Sequence, residues 1–401
     1  MSDTTAVEKE KRSLPTNFVV LRRKTRLVSA TANCVPKAPS PLEEIYALAK
    51  RGGTMRGRVP LRWDLPRDIL VDSFRRIPPG SLARSSCVAK SWREATNNEP
   101  SLKKKIGLER AWLHESIEPT IHKGQKNFKT HCCAKIEDLL ALGGWDGFKV
   151  FDLKRRGFVY DSEETESLWS ISFMDGMLLT GSGRGDLCGW NISTWEKVFC
   201  ISIFDSYIGS IADLGDNLAV GGADGHIHIR RKGSWEIQNS LHAHEDDITC
   251  LLAKEGNLLI SGSIDDSIRM WDLADNACPL VISGQKWGVS SMDVSDGLIY
   301  CGALDGNVRS WEIESGELVQ TFTGHTEIVV SVVVKEGRMF TGSADGSIKI
   351  WDAIKGKCVR SFDSPHGTGE IAENGVWVDD EHMVVVRANG EIWEWDFSEG
   401  L

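Results

Sequence analysis

The sequence predicts an all-β propeller of seven blades, preceded by a small helical unit. The first observation is a sequence motif that occurs seven times, and its clearest copy, at 342–352, reads Gly-Ser-Ala-Asp-Gly-Ser-Ile-Lys-Ile-Trp-Asp. The second is its spacing, because the copies end near residues 152, 191, 231, 272, 312, 352 and 396. A period near 40 with recurring turn and Trp-Asp pairs is typical of one four-stranded blade per copy. The third is a change before residue 111, where apolar residues follow a helical spacing instead.

Each repeat contains the turns and strands that a blade needs. Pairs such as Glu336-Gly337 and Asp345-Gly346 supply the positive-φ positions of tight hairpins. Apolar residues alternate with polar ones in the strands, as at Ile348 and Ile350. Only five residues follow Asp396, too few for an outer strand. We therefore expect a segment within residues 116–123 to complete the seventh blade and close the ring.

Two repeats carry a full set of four polar or aromatic residues at matching positions. The sets are His244, Ser261, Asp265 and Trp271 in blade 4, and His325, Thr341, Asp345 and Trp351 in blade 6. These repeats resemble WD40 repeats, and the resemblance implies that Asp accepts from His while the hydroxyl links imidazole to indole. We interpret the sets as structural rather than catalytic. We predict that the protein is not an enzyme and needs no cofactor or metal.

A different pattern occupies residues 61–102. Asp64 can cap a first helix, in which Leu70, Phe74 and Ile77 follow at helical spacing, and a Pro-Pro-Gly sequence at 78–80 ends it. Two shorter helices are expected before residue 100. Three helices in about 40 residues cannot bury much apolar surface alone, so we expect a partner to cover part of it.

This segment resembles the F-box in the order of its short motifs. The matching residues are Leu-Pro-Arg-Asp-Ile-Leu at 65–70, Ile77-Pro78, Leu82, and Val-Ala-Lys-Ser-Trp-Arg at 88–93. Ser73 and Ala89 depart from the family pattern, which has an apolar residue and a Cys there, and both changes remove apolar contact. The whole chain is similar to the F-box/WD-40 repeat proteins, especially those of plants.

The resemblance implies a substrate-recognition subunit of an SCF-type ubiquitin ligase. Its F-box would bind the Skp-family adaptor, and through it a cullin–RING ligase, while the propeller binds a protein substrate. The implied adaptor-binding residues are Leu65, Pro66, Ile69, Leu70, Val71, Phe74, Leu82, Val88 and Trp92. The alternative is a WD40 protein-interaction scaffold that is not linked to ubiquitination.

The domain organisation follows the change in charge along the chain. We divide the chain into a basic, flexible N-terminal region at 1–60, the F-box at 61–102, a helical linker at 103–118 and the propeller at 119–401. Residues 1–60 hold 12 Lys and Arg against five Asp and Glu, whereas residues 111–401 have a net charge of −22. Such an acidic propeller makes nucleic acid an unlikely partner.

The sequence also favours a cytoplasmic or nuclear location. No apolar run approaches the ~20 residues that cross a bilayer, and the first residues lack the apolar stretch of a secretory signal. A basic run at 22–26 fits a nuclear signal or a solvated tail equally well. The ten cysteines form no CxxC pair, so we expect reduced thiols, with Cys188 and Cys200 as small apolar residues of the strands.

The substrate is expected on the propeller face that carries the residues before the Asp-Gly turns. Exposed aromatic and Arg side chains are the usual anchors of protein interfaces. The predicted substrate-binding residues are Trp145, Trp169, Arg184, Tyr207 and Trp287. Because Arg184 is the one clear cation there and the propeller is acidic, we expect a neutral or basic peptide.

Overall fold

The computed structural model describes residue 112 and residues 117–124, 128–162, 166–254, 257–363 and 370–398. These residues form seven antiparallel four-stranded blades, as the repeats predict. The N-terminal region, the F-box segment and most of the linker lie outside the described residues. No helix within the described ranges combines the length and apolar character that crossing a membrane requires.

Each blade consists of an innermost, a second, a third and an outermost strand. From blade 1 to blade 7, the innermost strands are β2 (Thr130–Ile136), β6 (Leu168–Met174), β10 (Ile208–Leu214), β14 (Ile248–Lys254), β18 (Val289–Ser295), β22 (Val329–Lys335) and β26 (Ile371–Val378). The second strands are β3 (Leu139–Gly144), β7 (Met177–Ser182), β11 (Asn217–Gly222), β15 (Leu258–Ser263), β19 (Leu298–Ala303), β23 (Arg338–Ser343) and β27 (His382–Arg387).

The other two strands of each blade lie towards the outside of the ring. The third strands are β4 (Gly147–Asp152), β8 (Asp186–Asn191), β12 (His226–Arg231), β16 (Ser267–Asp272), β20 (Val308–Glu312), β24 (Ile348–Asp352) and β28 (Ile392–Asp396). The outermost strands are β5 (Gly157–Asp161), β9 (Lys197–Ser202), β13 (Ile237–His242), β17 (Ala277–Ser283), β21 (Leu318–Phe322), β25 (Lys357–Phe362) and, for blade 7, β1 (Thr120–His122).

The ring is closed by a strand from the start of the propeller segment. β1 pairs antiparallel with β28, and Ile121 lies opposite Trp393. The innermost strands contact one another from blade to blade, and β26 contacts β2. The expectation that residues 116–123 complete blade 7 is therefore confirmed. This arrangement leaves no open edge between the first and last repeats.

The core lies between adjacent blades. The second strands are buried along nearly their whole length, because each is covered by a neighbouring blade on both sides. Ile260 of blade 4, for example, packs in one cluster with Ile299 and Trp311 of blade 5. The outermost strands alternate between exposed and partly buried residues, as expected of a strand with one solvated face.

Trp112, from the predicted linker, is buried against blades 6 and 7. Its indole stacks on Phe397, with ring centroids 3.6 Å apart, and meets the edge of Phe340 at 5.3 Å. Its Nε1 donates to the carbonyl of Asp380 at 3.3 Å, and the Arg360 guanidinium donates to the Trp112 carbonyl at 3.0 Å. Trp112 is thus fixed to the propeller by packing and by two hydrogen bonds.

One prediction about the cysteines is wrong. Cys188 and Cys200 are joined by a disulfide, because they lie directly opposite each other on β8 and β9 with Cα atoms 4.0 Å apart. The sequence places both residues in strands but does not reveal their register. The other described cysteines are free thiols.

Candidate functional site

The blade 4 set forms one continuous chain of hydrogen bonds. The Trp271 Nε1 donates to Ser261 Oγ at 2.9 Å, and the hydroxyl lies 2.7 Å from His244 Nε2. His244 Nδ1 lies 2.9 Å from Asp265 Oδ2, so the neutral imidazole can donate to the carboxylate. Burial lowers the pKa of His244, which keeps the ring neutral. Every polar group of the set has a partner.

The blade 6 set repeats this geometry. Trp351 Nε1 donates to Thr341 Oγ1 at 2.9 Å, Thr341 Oγ1 lies 2.7 Å from His325 Nε2, and His325 Nδ1 lies 3.0 Å from Asp345 Oδ2. Thr341 and the matching Ser261 are completely buried, so no substrate can reach either hydroxyl. The geometry supports a structural role, because a nucleophile must be accessible to its substrate.

Blade 5 shows what happens when the set is incomplete. Gln285 stands in place of His and Cys301 in place of the hydroxyl, and both are fully buried. The Gln285 side-chain nitrogen donates to the Cys301 carbonyl at 3.4 Å. Within the described part of the chain, Trp311 Nε1 and Gln285 Oε1 have no hydrogen-bond partner.

Three of the predicted substrate-binding residues lie together at the top of the propeller. We call top the face with the loops between the second and third strands of each blade. The rings of Trp169 and Tyr207 stack at a centroid distance of 4.8 Å, and Trp145 meets Trp169 at 6.2 Å. His131 stacks on Trp169 at a centroid distance of 5.7 Å, and it meets Trp145 edge-on at 4.5 Å. We call these four side chains the aromatic arc.

Bulges in the innermost strands place the arc at the mouth of the central channel. Trp169 is the extra residue between the paired positions Leu168 and Ser170 of β6, and His131 is the extra residue of β2. The corresponding residues of blades 3 to 6 are Gly209, Thr249, Ser290 and Val330. Large rings therefore occupy this position in blades 1 and 2, and small or aliphatic residues occupy it in blades 3 to 6.

The arc ends at a carboxylate of blade 4. The Tyr207 hydroxyl donates to Asp247 Oδ2. Burial, together with this hydrogen bond, raises the pKa of Tyr207 well above its ordinary value, so the phenol remains a donor. Trp145 is 49% exposed, which leaves part of the arc open to a ligand.

A second carboxylate, Glu373, lies beside the other end of the arc. In β26 four residues, 372–375, lie between the paired positions Ile371 and Val376 and face a single residue, Val386, of β27, whereas in the other blades one residue is left without a partner at this place. The backbone of this bulge is held to blade 1, because Cys132 pairs with Glu373 and the Cys133 thiol donates to the Glu373 carbonyl at 3.2 Å. Burial raises the pKa of Glu373 to about 7.

Two predicted substrate-binding residues do not join the arc. Trp287 lies on blade 5, is 69% exposed and has a φ of 68°, a backbone conformation that is unusual for a bulky residue. Its carbonyl accepts from the nitrogen of Leu304, another exposed apolar residue. Arg184 is exposed, and its guanidinium lies 3.6 Å from a carboxylate oxygen of Glu166.

Sequence reasoning missed His131 and Glu373. His131 could have been found, because it opens an innermost strand at the same offset as Trp169. Glu373 had no such signal, since its bulge lengthens the seventh repeat and disrupts the alignment with the other six. The described residues contain no group of three His, Cys, Asp or Glu side chains that could hold a metal ion.

The predicted adaptor-binding residues lie outside the described residues. They are Leu65, Pro66, Ile69, Leu70, Val71, Phe74, Leu82, Val88 and Trp92. Evidence on this segment comes from its similarity to known proteins instead.

Two family models match the chain. An F-box-like model matches residues 63–109, and the model of the WD domain, G-beta repeat, matches residues 235–272 and 316–352. The chain therefore contains an F-box-like domain followed by WD40 repeats, which is the domain combination of an F-box/WD-repeat protein.

Curated relatives share shorter stretches of the chain. Protein GFS12 of Arabidopsis thaliana is 26% identical over 34% of this chain, WD repeat-containing protein 18 of Mus musculus is 32% identical over 22%, and mitochondrial division protein 1 of Pyricularia oryzae is 28% identical over 47%. The matched regions span 10%, 24% and 29% of the lengths of these relatives.

A solved structure supports the fold. The crystal structure of the computationally designed Ika8 protein matches with a TM-score of 0.57 and 21% identity, covering 70% of this chain and 100% of that one. At this identity the likeness concerns the fold alone.

Proposed function

We propose that this protein is the substrate-receptor subunit of an SCF-type ubiquitin ligase. An F-box domain together with WD40 repeats supports such a role in general, and F-box domains generally bind Skp-family adaptors. In the proposed complex the F-box binds the adaptor, and the top of the propeller binds a protein substrate.

The observation that carries the proposal is the position of Trp112. The F-box-like match ends at residue 109, and Trp112, three residues later, is buried against blades 6 and 7. Only residues 110 and 111 separate the end of the match from Trp112, so the connection between the F-box-like segment and the propeller is short in sequence. A receptor requires this coupling, because its adaptor and its substrate must be held at a defined separation.

The proposed mechanism is positional rather than chemical. The ligase would raise the effective concentration of a substrate lysine near a ubiquitin-carrying enzyme. The receptor would contribute two binding surfaces and a short connection between them. We propose that the chain supplies no catalytic residue, in keeping with the buried hydroxyl groups of Ser261 and Thr341.

Co-expression with a Skp-family adaptor tests the proposal. We expect the adaptor to co-purify with the full chain, and the double variant Leu65→Ala, Pro66→Ala to lose most of it, because both residues belong to the motif that resembles the F-box. The matched control is Trp287→Ala, an exposed residue of blade 5 that should keep the adaptor. Equal recovery from the wild type and the double variant would favour the scaffold alternative.

A further inference from the structure

The aromatic arc lies between two carboxylates on the rim of the channel. Glu373 of blade 7 neighbours His131 of blade 1 through the β2–β26 pairing, and Asp247 of blade 4 accepts the Tyr207 hydroxyl. From blade 7 to blade 4 around the ring, the rim carries Glu373, the stacked rings of His131 and Trp169, the phenol of Tyr207, and Asp247. Faces of Trp and Tyr rings attract cations, and carboxylates pair with them.

Glu373 lies in the innermost strand of blade 7, where its backbone pairs with the innermost strand of blade 1. Burial is the main cause that raises the pKa values of Cys132, Tyr207 and Cys250, and in each case the charge of Glu373 adds to the effect. The Glu373 side chain is exposed to solvent.

The bulge that presents Glu373 is tightly built. A Cβ on Gly375 would lie 2.6 Å from the Ala372 carbonyl oxygen and 2.8 Å from that of Val386. Asn374 adopts a left-handed φ of 53°. Asn adopts this conformation more readily than most residues, and the close packing at Gly375 fixes the shape of the bulge.

Glu373 and His131 both lack partners in the described part of the chain. No hydrogen bond or ion pair links the Glu373 carboxylate to a described residue, although desolvation is the cause that raises its pKa. His131 Nε2 is buried and likewise has no hydrogen-bond partner there. A buried polar atom without a partner costs free energy, so the unpaired His131 Nε2 points to a ligand, and the solvent-exposed Glu373 carboxylate beside it can pair with a cation.

The charge around the mouth indicates the sign of that ligand. Exposed acidic residues of the described top loops include Asp146, Asp205, Asp224, Glu245, Asp246, Asp266, Glu327, Asp363 and Glu370. The exposed basic residues of these loops include Lys123, Lys129, Arg184 and Lys286. The excess of carboxylates attracts cations and repels phosphorylated peptides.

We infer that the channel mouth binds an arginine side chain from a basic segment of the protein substrate. The planar guanidinium would stack on the His131 ring at the end of the arc, and the Glu373 carboxylate would accept its hydrogen bonds. Arginine fits this site better than lysine, because its plane can stack on a ring while its edge pairs with a carboxylate. The inference deepens the proposed function by giving the chemical class of the substrate that the propeller recognises.

Calorimetric titration of the full chain with blocked tetra-arginine, tetra-lysine and tetra-glutamate peptides tests the inference. We expect tetra-arginine to bind about tenfold more tightly than tetra-lysine, and tetra-glutamate not to bind. Glu373→Gln should weaken tetra-arginine binding at least about tenfold, because the guanidinium loses its charged partner. Trp169→Ala should also weaken it, because it removes the ring on which His131 is stacked.

Glu327→Gln is the matched control for charge. Glu327 is an exposed carboxylate of the same face on blade 6, away from the arc. Loss of the Glu327 charge should reduce the affinity for tetra-arginine no more than about twofold, because this carboxylate contributes only to the overall negative potential of the face. The inference would be overturned if Glu373→Gln and Glu327→Gln had equal effects on tetra-arginine binding. It would also be overturned if the arginine and lysine peptides bound equally tightly, or if tetra-glutamate bound. Thermal unfolding of Glu373→Gln checks that the variant is folded.

The pH dependence gives an independent readout. Binding of a cation requires the Glu373 carboxylate, so affinity should fall about tenfold from pH 8 to pH 6 as Glu373, with a pKa of about 7, takes up a proton. The pKa of His131 is lowered by burial and by Lys129, which favours the neutral ring. The neighbouring groups whose pKa values are raised by burial are Cys132, Cys133, Tyr207 and Cys250. Persistence of the full pH effect in Glu373→Gln would contradict this assignment.

The peptide titration and the adaptor experiment can fail separately. Arginine binding needs no adaptor, and adaptor recovery should be unchanged in Glu373→Gln. If the adaptor is not captured while tetra-arginine binds as expected, the arginine site is upheld and the ligase role is wrong. If the adaptor is captured but the arginine peptide does not bind, the ligase role survives without this site.

Discussion

Individual buried side chains differ in how well their hydrogen bonds are satisfied, and these differences have measurable consequences. Blades 4 and 6 link an indole, a hydroxyl, an imidazole and a carboxylate in one chain. In blade 5 the sulfur of Cys301 replaces the hydroxyl, and Trp311 Nε1 has no described partner. A buried donor without an acceptor costs about 1–3 kcal/mol.

Cys301→Ser should therefore stabilise the protein. Cys301 and Ser261 occupy matching positions, opposite Arg309 and Arg269 respectively, so a Ser hydroxyl at 301 can accept from Trp311 Nε1. We expect the free energy of unfolding to rise by about 1 kcal/mol, measured by urea denaturation.

The control for this prediction is a double-mutant cycle with Trp311→Phe. In that background the indole N–H is absent, so the Ser substitution should no longer stabilise the protein. An equal gain in both backgrounds would show that the gain does not come from a hydrogen bond to the indole.

Protonation of Asp345 should make the free energy of unfolding depend on pH in the acid range. Burial by itself raises its pKa, but hydrogen bonds from Ser347 and the Thr326 nitrogen outweigh burial and hold the pKa at about 2. A carboxyl group whose pKa is lower in the folded state stabilises at neutral pH. That contribution, about 2 kcal/mol, is lost as the pH falls from about 4 to about 2.

Asp345→Asn should remove this contribution. We expect the variant to be about 2 kcal/mol less stable than the wild type at pH 7, with the difference shrinking towards pH 2. Asp146 precedes the matching turn of blade 1 but is exposed, so Asp146→Asn should change little. A difference that stays constant from pH 7 to pH 2 would be inconsistent with the lowered pKa.

Trp112 should contribute strongly to the stability of the propeller, although it precedes the first strand. It is 2% exposed and packs against rings from two blades. Trp112→Ala should lower the free energy of unfolding by about 3 kcal/mol or more in urea denaturation. Trp287→Ala, which removes a tryptophan that is 69% exposed, should have little effect. Equal denaturation midpoints for the two variants would mean that Trp112 does not brace the ring.

The elements that the sequence predicts well are those governed by local, repeated patterns. The seven blades follow from a period within the chain, and the closing strand follows from counting the residues after Asp396. Exposed aromatic residues of the top loops could also be named, because the repeats align them.

Contacts between elements were harder to predict. The Cys188–Cys200 disulfide depends on the register of two strands, and the placement of Trp112 depends on tertiary packing. Glu373 belongs to a four-residue bulge with no counterpart in the other blades. The sequence pattern of one blade does not indicate which residues of the neighbouring blade will contact it.

The molecule as a whole combines a ring with no free edge and an F-box-like segment tethered to it within a few residues. A closed ring resists deformation, because opening it breaks the β1–β28 pairing and the contacts of every blade with its neighbours. This stiffness would allow a substrate at the channel mouth to be held at a nearly constant distance from a bound adaptor. The proposed receptor depends on that coupling.

The mass of the complex formed with a Skp-family adaptor provides the most direct test. Sedimentation of the purified full chain with the adaptor at micromolar concentration should give one species containing one copy of each, and Leu65→Ala, Pro66→Ala should abolish it. If the wild-type chain sediments as an adaptor-free monomer under these conditions, the protein is not an adaptor-bound receptor, and the scaffold alternative is favoured.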